Sequence, residues 1–252
     1  EHEYSRSADL SIIGSNCIGI DVIVSLLKKK EPNAKVRNVS VGSERGLQYL
    51  IDGISDVSGI HILDKVTSTY NIPYTRQRGL ADRVILIRGY TRKQGLIIER
   101  GNPKRIRGWT DLLRKDVSMI NRNQGSGTRI LIDHNLARLA NSMNLGFSEL
   151  SHTIKGYDKE ARSHAEAALS VSRNESDVAI GIMPAAKRHN LTFIRVADEH
   201  FDFAIRKQDV KKQIISSFIA VLRSQQFRRE LGEKAPGLIP SRNTGQIIRI
   251  KA

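Results

Sequence analysis

LSIIGSNCIGIDVIVSLLKKKEPN, residues 10–33, carries the pattern from which the fold is read. Leu10, Ile12 and Ile13 make a short apolar run of strand length. Gly14-Ser15 interrupts it. Residues 17–30 then place Ile20, Val24 and Leu27 on one helical face and end on Lys28, Lys29 and Lys30, the sign of charge a helix C-terminus favours. Glu31-Pro32-Asn33 stops the helix. The unit is strand, glycine-serine turn, helix.

The same alternation recurs outward along the chain. Residues 36–41 read as a strand, 44–51 as a helix ending near Gly53, and 60–63 as a third strand. Residues 84–87 and 96–98 read as strands around a turn. A short helix at 109–113, with Thr110 as its cap, leads to a strand at 117–120. Residues 128–143 form a strong helix with Leu131, Leu136, Leu139, Ala140 and Met143 as its apolar face. Helices at 163–172 and 184–189 flank a strand at 178–180. Strands at 193–196 and 203–205 precede an amphipathic helix at 210–223 and a helical tail at 227–232. Such alternation implies parallel strands covered by helices on both faces. There are many strands for one open sheet of 252 residues, so two smaller α/β lobes with a ligand cleft are expected.

Gly-Ser occurs at Gly14-Ser15, Gly42-Ser43 and Gly125-Ser126, each between a predicted strand and a predicted helix. A helix start offers unpaired N–H groups and a partial positive charge. Glycine lets a ligand approach the backbone and serine adds a hydroxyl donor, which together suit an anion. The plainer reading is that serine caps the helix and glycine makes the turn. The third junction, Asn121-Arg122-Asn123-Gln124-Gly125-Ser126-Gly127-Thr128-Arg129, is the richest in donors. Arg129 falls in the first helical turn, where the dipole disfavours a cation and an anion would relieve the conflict. There is no Walker loop and no dinucleotide fingerprint.

Composition bounds the alternatives. The chain has 41 Lys+Arg against 26 Asp+Glu, a net charge of +15, which favours anionic partners in general. Aromatic residues are only 5%, poor material for stacking on bases. The basic residues are dispersed, densest over 92–115, and read as a solvated face, with nucleic-acid binding as the competing reading. No apolar stretch reaches the length of a membrane span. Cys17 is the only cysteine, which excludes an internal disulfide and a multi-cysteine zinc site; it reads as a buried, inert thiol. His61 reads equally as a cleft residue or a structural one, and His164 as structural. No histidine pair has helical metal spacing, and Glu99, Glu160, Glu166 and Asp177 show no acid/base pairing. Without an initiator Met or a signal peptide, the chain reads as a piece of a longer cytoplasmic protein, a processed extracytoplasmic protein being the alternative.

At INRNQGSGTR the sequence resembles the type II periplasmic-binding-protein-like domain of molybdate- and tungstate-related proteins, a domain found fused to molybdopterin-biosynthesis proteins and to helix-turn-helix regulators. The resemblance covers most of the chain. It runs through GSN at Gly14, VGSERGL from Val41, DVSGIHIL from Asp56 and YNIP from Tyr70. It continues through RKQGLIIERGNP from Arg92, GYDKEARSHAEAA from Gly156 and DVAIGIMPAA from Asp177. It implies an α/β, two-lobed fold with a ligand cleft between the lobes: residues 8–88 plus 203–252 as lobe 1 and 89–202 as lobe 2. The chain would cross near 87–96 and return near 196–203, with the C-terminal helices packed on the first lobe. Carried over residue by residue, it implies Ser15, Ser43 and His61 as ligand residues of the first lobe. In the second it implies Arg122, Ser126, Gly127, Thr128 and Arg129, with Tyr157 as a wall.

The resulting expectation is a small oxyanion, molybdate or tungstate, bound by a non-catalytic sensor or delivery domain linked to molybdenum-cofactor biosynthesis or transport. No catalytic residue, metal site or cofactor is expected, though the chain would fit a non-catalytic domain of a molybdopterin-biosynthesis enzyme. The alternative is the effector domain of a DNA-binding regulator. Partners would be the oxyanion and a fused molybdopterin-biosynthesis or DNA-binding domain. No specific nucleic-acid binding by this segment itself is expected.

Overall fold

The computed structural model describes residues 8–248 and 250. In chain order the elements are β1 (Leu10–Gly14), α1 (Ile18–Lys30), β2 (Val36–Ser40), α2 (Ser43–Ile51), β3 (Val57–Ile60), α3 (Ile72–Gln77) and β4 (Val84–Ile98). A 3-10 helix, Trp109–Leu113, leads to β5 (Met119–Arg122), α4 (Gly127–Ser142), α5 (Phe147–Thr153), β6 (Glu160–Ala161) and α6 (His164–Ser172). Then come β7 (Val178–Ile182), α7 (Met183–Arg188), β8 (Thr192–Arg206), α8 (Gln213–Arg223), α9 (Gln225–Lys234), β9 (Leu238–Pro240) and β10 (Ile247–Ile248). The chain divides into two compact units, one running to Thr91 and resuming at His200, the other Arg92–Glu199.

In the first unit the strand order is β2-β1-β3-β8-β4, with β9 and β10 paired to β4. β1 runs parallel to β2 and β3, while β3 is antiparallel to β8. In the second unit β7 lies antiparallel to β4 and parallel to β5, and β5 is parallel to β6. The sheets are therefore mixed, not wholly parallel, because the long returning strand β8 runs against its neighbour β3. Helix α1 forms because Ile20, Ile23 and Leu27 recur on one face, and that face is fully buried. It packs on α8 and α9 through Phe218, Leu222, Phe227 and Leu231, so the C-terminal helices close the core of the first unit. The second unit has its own core around Leu96, Met119, Ile132, Leu136, Leu150 and Ile180.

Several predicted elements differ. Residues 84–87 and 96–98 belong to one 15-residue strand, and 193–196 and 203–205 to another. The polar residues between the two apolar runs of β4, Arg88, Arg92 and Gln94, are paired with Asp202 and Glu199 of the neighbouring strand. The third strand ends at Ile60, which puts His61 just beyond it, and β5 is shifted so that Arg122 is its last residue. Thr110 is not a cap: Gly108 holds that position without a side-chain bond. Met143 is exposed, and Ile132 fills the core in its place. Helices α3 and α5 and strand β6 were not anticipated.

Candidate functional site

The first unit gathers its candidates at the carboxyl ends of β1, β2 and β3. Backbone bonds tie those ends together: Ser15 N donates to Gly59 O at 2.8 Å, and Val41 N and Gly42 N both donate to Gly14 O. The approach is close enough that a Cβ on Gly46 of α2 would overlap the Gly14 Cα, so this crossing requires glycine. Gly42 adopts φ 86°, a left-handed conformation that glycine accepts without strain. It thereby becomes the cap residue of α2 and places Ser43 one position inside the helix.

There the Ser43 and Ser15 hydroxyls meet at 2.8 Å. The His61 amide donates to Ser43 Oγ at 3.0 Å. Ser15 and His61 are buried, and Ser43 is half-buried. The His61 ring stacks on Phe201 with centroids 5.7 Å apart. Neither α1, which starts after Cys17, nor α2 has a side-chain cap. Cys17 is buried, its Sγ 2.8 Å from Tyr90 Oη. Sequence reasoning thus found three residues that the fold brings together.

The second unit arranges its candidates differently. Ser126 is the N-cap of α4, and its hydroxyl accepts the Arg129 N–H at 3.2 Å. Gly127 opens the helix. Thr128 is buried and accepts a bond from Gln94 Nε2, which also donates to Glu199. The Arg129 guanidinium is engaged on three sides. Nε bonds Asp133 at 2.9 Å, Nη1 bonds Glu160 at 2.9 Å, and Nη2 bonds Tyr157 Oη at 2.9 Å. The Arg129 Cζ also lies 4.7 Å from the centre of the Tyr157 ring. Burial pulls the Arg129 pKa down, but the bonds to Asp133 and Tyr157 outweigh it and leave it raised. The unfavourable position of Arg129 near a helix start is therefore relieved by its own chain's carboxylates. Tyr157 is part of the core of this unit and donates to Asp133 at 2.7 Å; burial, then that bond, raise its pKa.

Arg122 has the opposite surroundings. It is only 6% exposed, and its guanidinium bonds Ala161 O, Arg162 O and His164 Nδ1, the last at 3.0 Å. Among the described residues no carboxylate lies within ion-pair distance of it. Burial, reinforced by the charge of Arg92, lowers its pKa to about 10. His164, read from sequence as structural, is thus in contact with a candidate cation. Gln94, Glu199, Asp133, Asn71 and Asp202 carry the networks around both sets and were missed. Asp133 lies four residues from Arg129 on the same helix, whereas Gln94, Glu199, Asn71 and Asp202 meet partners that lie far off in sequence. In the densest basic stretch Arg92 is buried on Glu199, Lys104 pairs with Asp177 and Arg114 pairs with Asp116, while Arg100, Arg105, Arg107 and Lys115 are exposed. Among the described residues no group of three or more His, Cys, Asp or Glu is placed to hold a metal ion, and no helix is long and apolar enough to cross a membrane.

The model of a family described as the PBP superfamily domain matches residues 24–223. Protein YvgK of Bacillus subtilis (strain 168) is 33% identical over 217 residues, which is 84% of this chain and 67% of that protein. The sulfate-binding protein SubI from Mycobacterium tuberculosis has a similar structure, with a TM-score of 0.64 at 14% identity, over 92% of this chain and 86% of SubI. An ABC-type phosphate transport receptor from Vibrio cholerae matches with a TM-score of 0.58 at 15% identity, over 92% and 99% of the two chains. The regulatory domain of a LysR family regulator from N. meningitidis matches with a TM-score of 0.55 at 13% identity, over 91% and 96%. At these identities the structural likeness is one of fold.

Proposed function

Because the chain belongs to the family of PBP superfamily domains, we propose that it is a binding domain for a small tetrahedral oxyanion, without chemistry of its own. The observation that carries the reading is the Ser15–Ser43–His61 set. The two hydroxyls own two protons and share one hydrogen bond. The His61 amide occupies one lone pair of Ser43. Whichever serine donates to the other, one hydroxyl proton is left to point at a ligand. The uncapped start of α2 adds backbone donors and the positive end of its dipole. Among the described residues no carboxylate is hydrogen-bonded to either hydroxyl, so the set offers donors to an ion that only accepts. A fully deprotonated dianion fits that better than an ion still carrying a proton. In the second unit Arg122 is the cation best suited to an anion, because no carboxylate among the described residues lies within ion-pair distance of it.

Molybdate or tungstate is the ligand favoured by the sequence resemblance and by the lack, among the described residues, of a carboxylate bonded to the serines, and a link to molybdenum-cofactor biosynthesis or transport belongs to the same proposal. Sulfate is the competitor, supported by the fold of SubI. The phosphate transport receptor is a further fold relative, and the two receptors lend no support to a cytoplasmic location. A second reading, the effector domain of a DNA-binding regulator, draws on the fold of the LysR family regulatory domain. It uses the same anion chemistry and adds that the ligand changes the DNA affinity of a linked domain.

The test is a thermal-shift and calorimetry panel of molybdate, tungstate, sulfate and phosphate. A ligand at a hundred times its Kd stabilises by about 2.7 kcal/mol. Ser43→Ala removes the hydroxyl shared by Ser15 and His61 and is expected to weaken binding about tenfold to a hundredfold. Absence of heat and of stabilisation with all four ions sinks the proposal.

A further inference from the structure

Asn71 immediately precedes α3 and occupies its cap position, where asparagine is among the favoured residues. It makes no cap bond. Its side chain instead reaches back and across. Oδ1 accepts the Ile62 N–H at 2.7 Å, and Nδ2 donates to Asp202 Oδ2 at 2.8 Å and to His200 O at 3.2 Å. Asn71 N also donates to Ile62 O. The backbone of Asn71 lies at φ 66°, ψ −50°, with Ile72 N bonded to Tyr70 O. That is a three-residue turn of the strained hand, a conformation that persists only where the surroundings enforce it.

Asp202 supplies the enforcement. It sits on β8 directly opposite Ile60, the residue before His61. Its carboxyl also accepts from the Gly89 N–H and from Arg88 Nη1, each at 3.2 Å. Asn71 and Asp202 are both fully buried. Burial pushes the Asp202 carboxyl up, against the pull of Arg88, Asn71 and Gly89. A strained turn, a forgone cap and a buried carboxyl are together directed at one short stretch of chain. That stretch is the exit of β3, where His61 presents its amide to Ser43.

We propose that Asn71 and Asp202 are positioning residues for the Ser15–Ser43 pair, acting through the His61 amide. The inference rests on the anion-binding reading above. By holding Ile62, they hold the His61 N–H on Ser43 Oγ. That bond fills a lone pair of Ser43 that otherwise competes for a hydroxyl proton, so it keeps the pair a donor.

The experiment is a reciprocal swap. Asn71→Asp sets a second carboxyl at hydrogen-bond distance from Asp202, and two such groups cannot both ionise there without cost. The double variant Asn71→Asp/Asp202→Asn restores one amide–carboxyl bond with its polarity reversed, and residue 71 still accepts from Ile62. Two readouts are taken at pH 8: molybdate affinity by calorimetry and hydrogen exchange at the His61 amide. The single variant is expected to bind molybdate about tenfold more weakly, the worth of one hydrogen bond of this kind. Its His61 amide should exchange faster, and the double variant should regain both. If Asn71→Asp does not fold, Asp202→Asn carries the same measurements with the same expected direction. Parental affinity and parental exchange in the variants overturn the inference, as does a double variant of parental melting temperature that recovers neither. A parent that does not bind molybdate counts against the anion reading, while His61 exchange still decides whether Asn71 and Asp202 hold that amide.

Discussion

After β2, the chain reads Gly42-Ser43-Glu44, and after β5 it reads Gly125-Ser126-Gly127. In the first unit the glycine takes the cap position, and the serine hydroxyl turns to Ser15 and the His61 amide. In the second the serine is itself the cap, with φ −77° and ψ 144°, and its hydroxyl is bonded to its own helix. One residue of register therefore separates a hydroxyl that bonds outside its own helix from one that accepts an N–H of its own helix. The charges follow the same division. Among the described residues no charged side chain is hydrogen-bonded to the hydroxyl pair of the first unit. The second unit holds three buried arginines, of which Arg92 and Arg129 are paired with carboxylates and Arg122 is not.

The sharpest test of that contrast is Arg129. Removing it leaves Asp133 and Glu160 without their cation and Tyr157 without a donor. Both carboxylates are about a third exposed, which screens the loss. Arg129→Ala is expected to lower stability by about 2 kcal/mol, between a surface pair and a buried one. Urea unfolding in oxyanion-free buffer measures it. Unchanged stability together with a tenfold loss of anion affinity would reverse the assignment and make Arg129 the ligand cation.

Arg122 sharpens the comparison from the other side. Burial and the charge of Arg92 outweigh the more distant pull of Glu199 and Glu166, and its pKa falls to about 10. For a base, a folded pKa below the unfolded value means that the charged form costs stability. That cost is full below about pH 10 and lessens as the pH rises through that value. Arg122→Met is therefore expected to be at least as stable as the parent at pH 7 without anion. It should bind the anion about tenfold more weakly, having lost a charge-assisted bond. A variant that is clearly less stable and binds normally would make Arg122 a structural residue, held by its bonds to Ala161, Arg162 and His164.

What the sequence made legible follows from how local each signal is. The strand–Gly-Ser–helix units are local, and β1, α1, β2, α2 and α4 appear where their periodicity placed them. Strands β4 and β8 each read as two short strands because polar residues interrupt their apolar runs, among them Arg88, Arg92 and Gln94 on β4 and Glu199 and Asp202 on β8, which pair across the two strands. The meeting of Ser15 with Ser43 followed from two strands ending side by side. The engagement of Arg129 did not, since Glu160 and Tyr157 reach it from outside its own helix. Asn71 stood in the sequence only within YNIP, with nothing to mark its side chain, because its bonding partner Asp202 lies 131 positions away.

Ser126 gives the smallest and most diagnostic effect. As a cap it satisfies one of the orphan N–H groups of α4, and replacing a capping serine with alanine costs about 1 kcal/mol. Ser126→Ala should therefore melt lower than the parent, while its anion affinity stays within about twofold, an energy well below that of one lost ligand bond. Ser126→Asp separates cap from ligand more strictly. Aspartate caps as well as serine and suits the positive end of the helix, so stability should return to the parental value. Its negative charge, however, would repel any oxyanion seated on that helix start. If α4 does not hold the ion through its first turn, Ser126→Asp binds nearly as the parent does. If Ser126→Asp is stable yet loses the anion, and Ser43→Ala does not, the two units exchange roles: the recognition lies in the second, and the Ser15–Ser43 pair is the structural one.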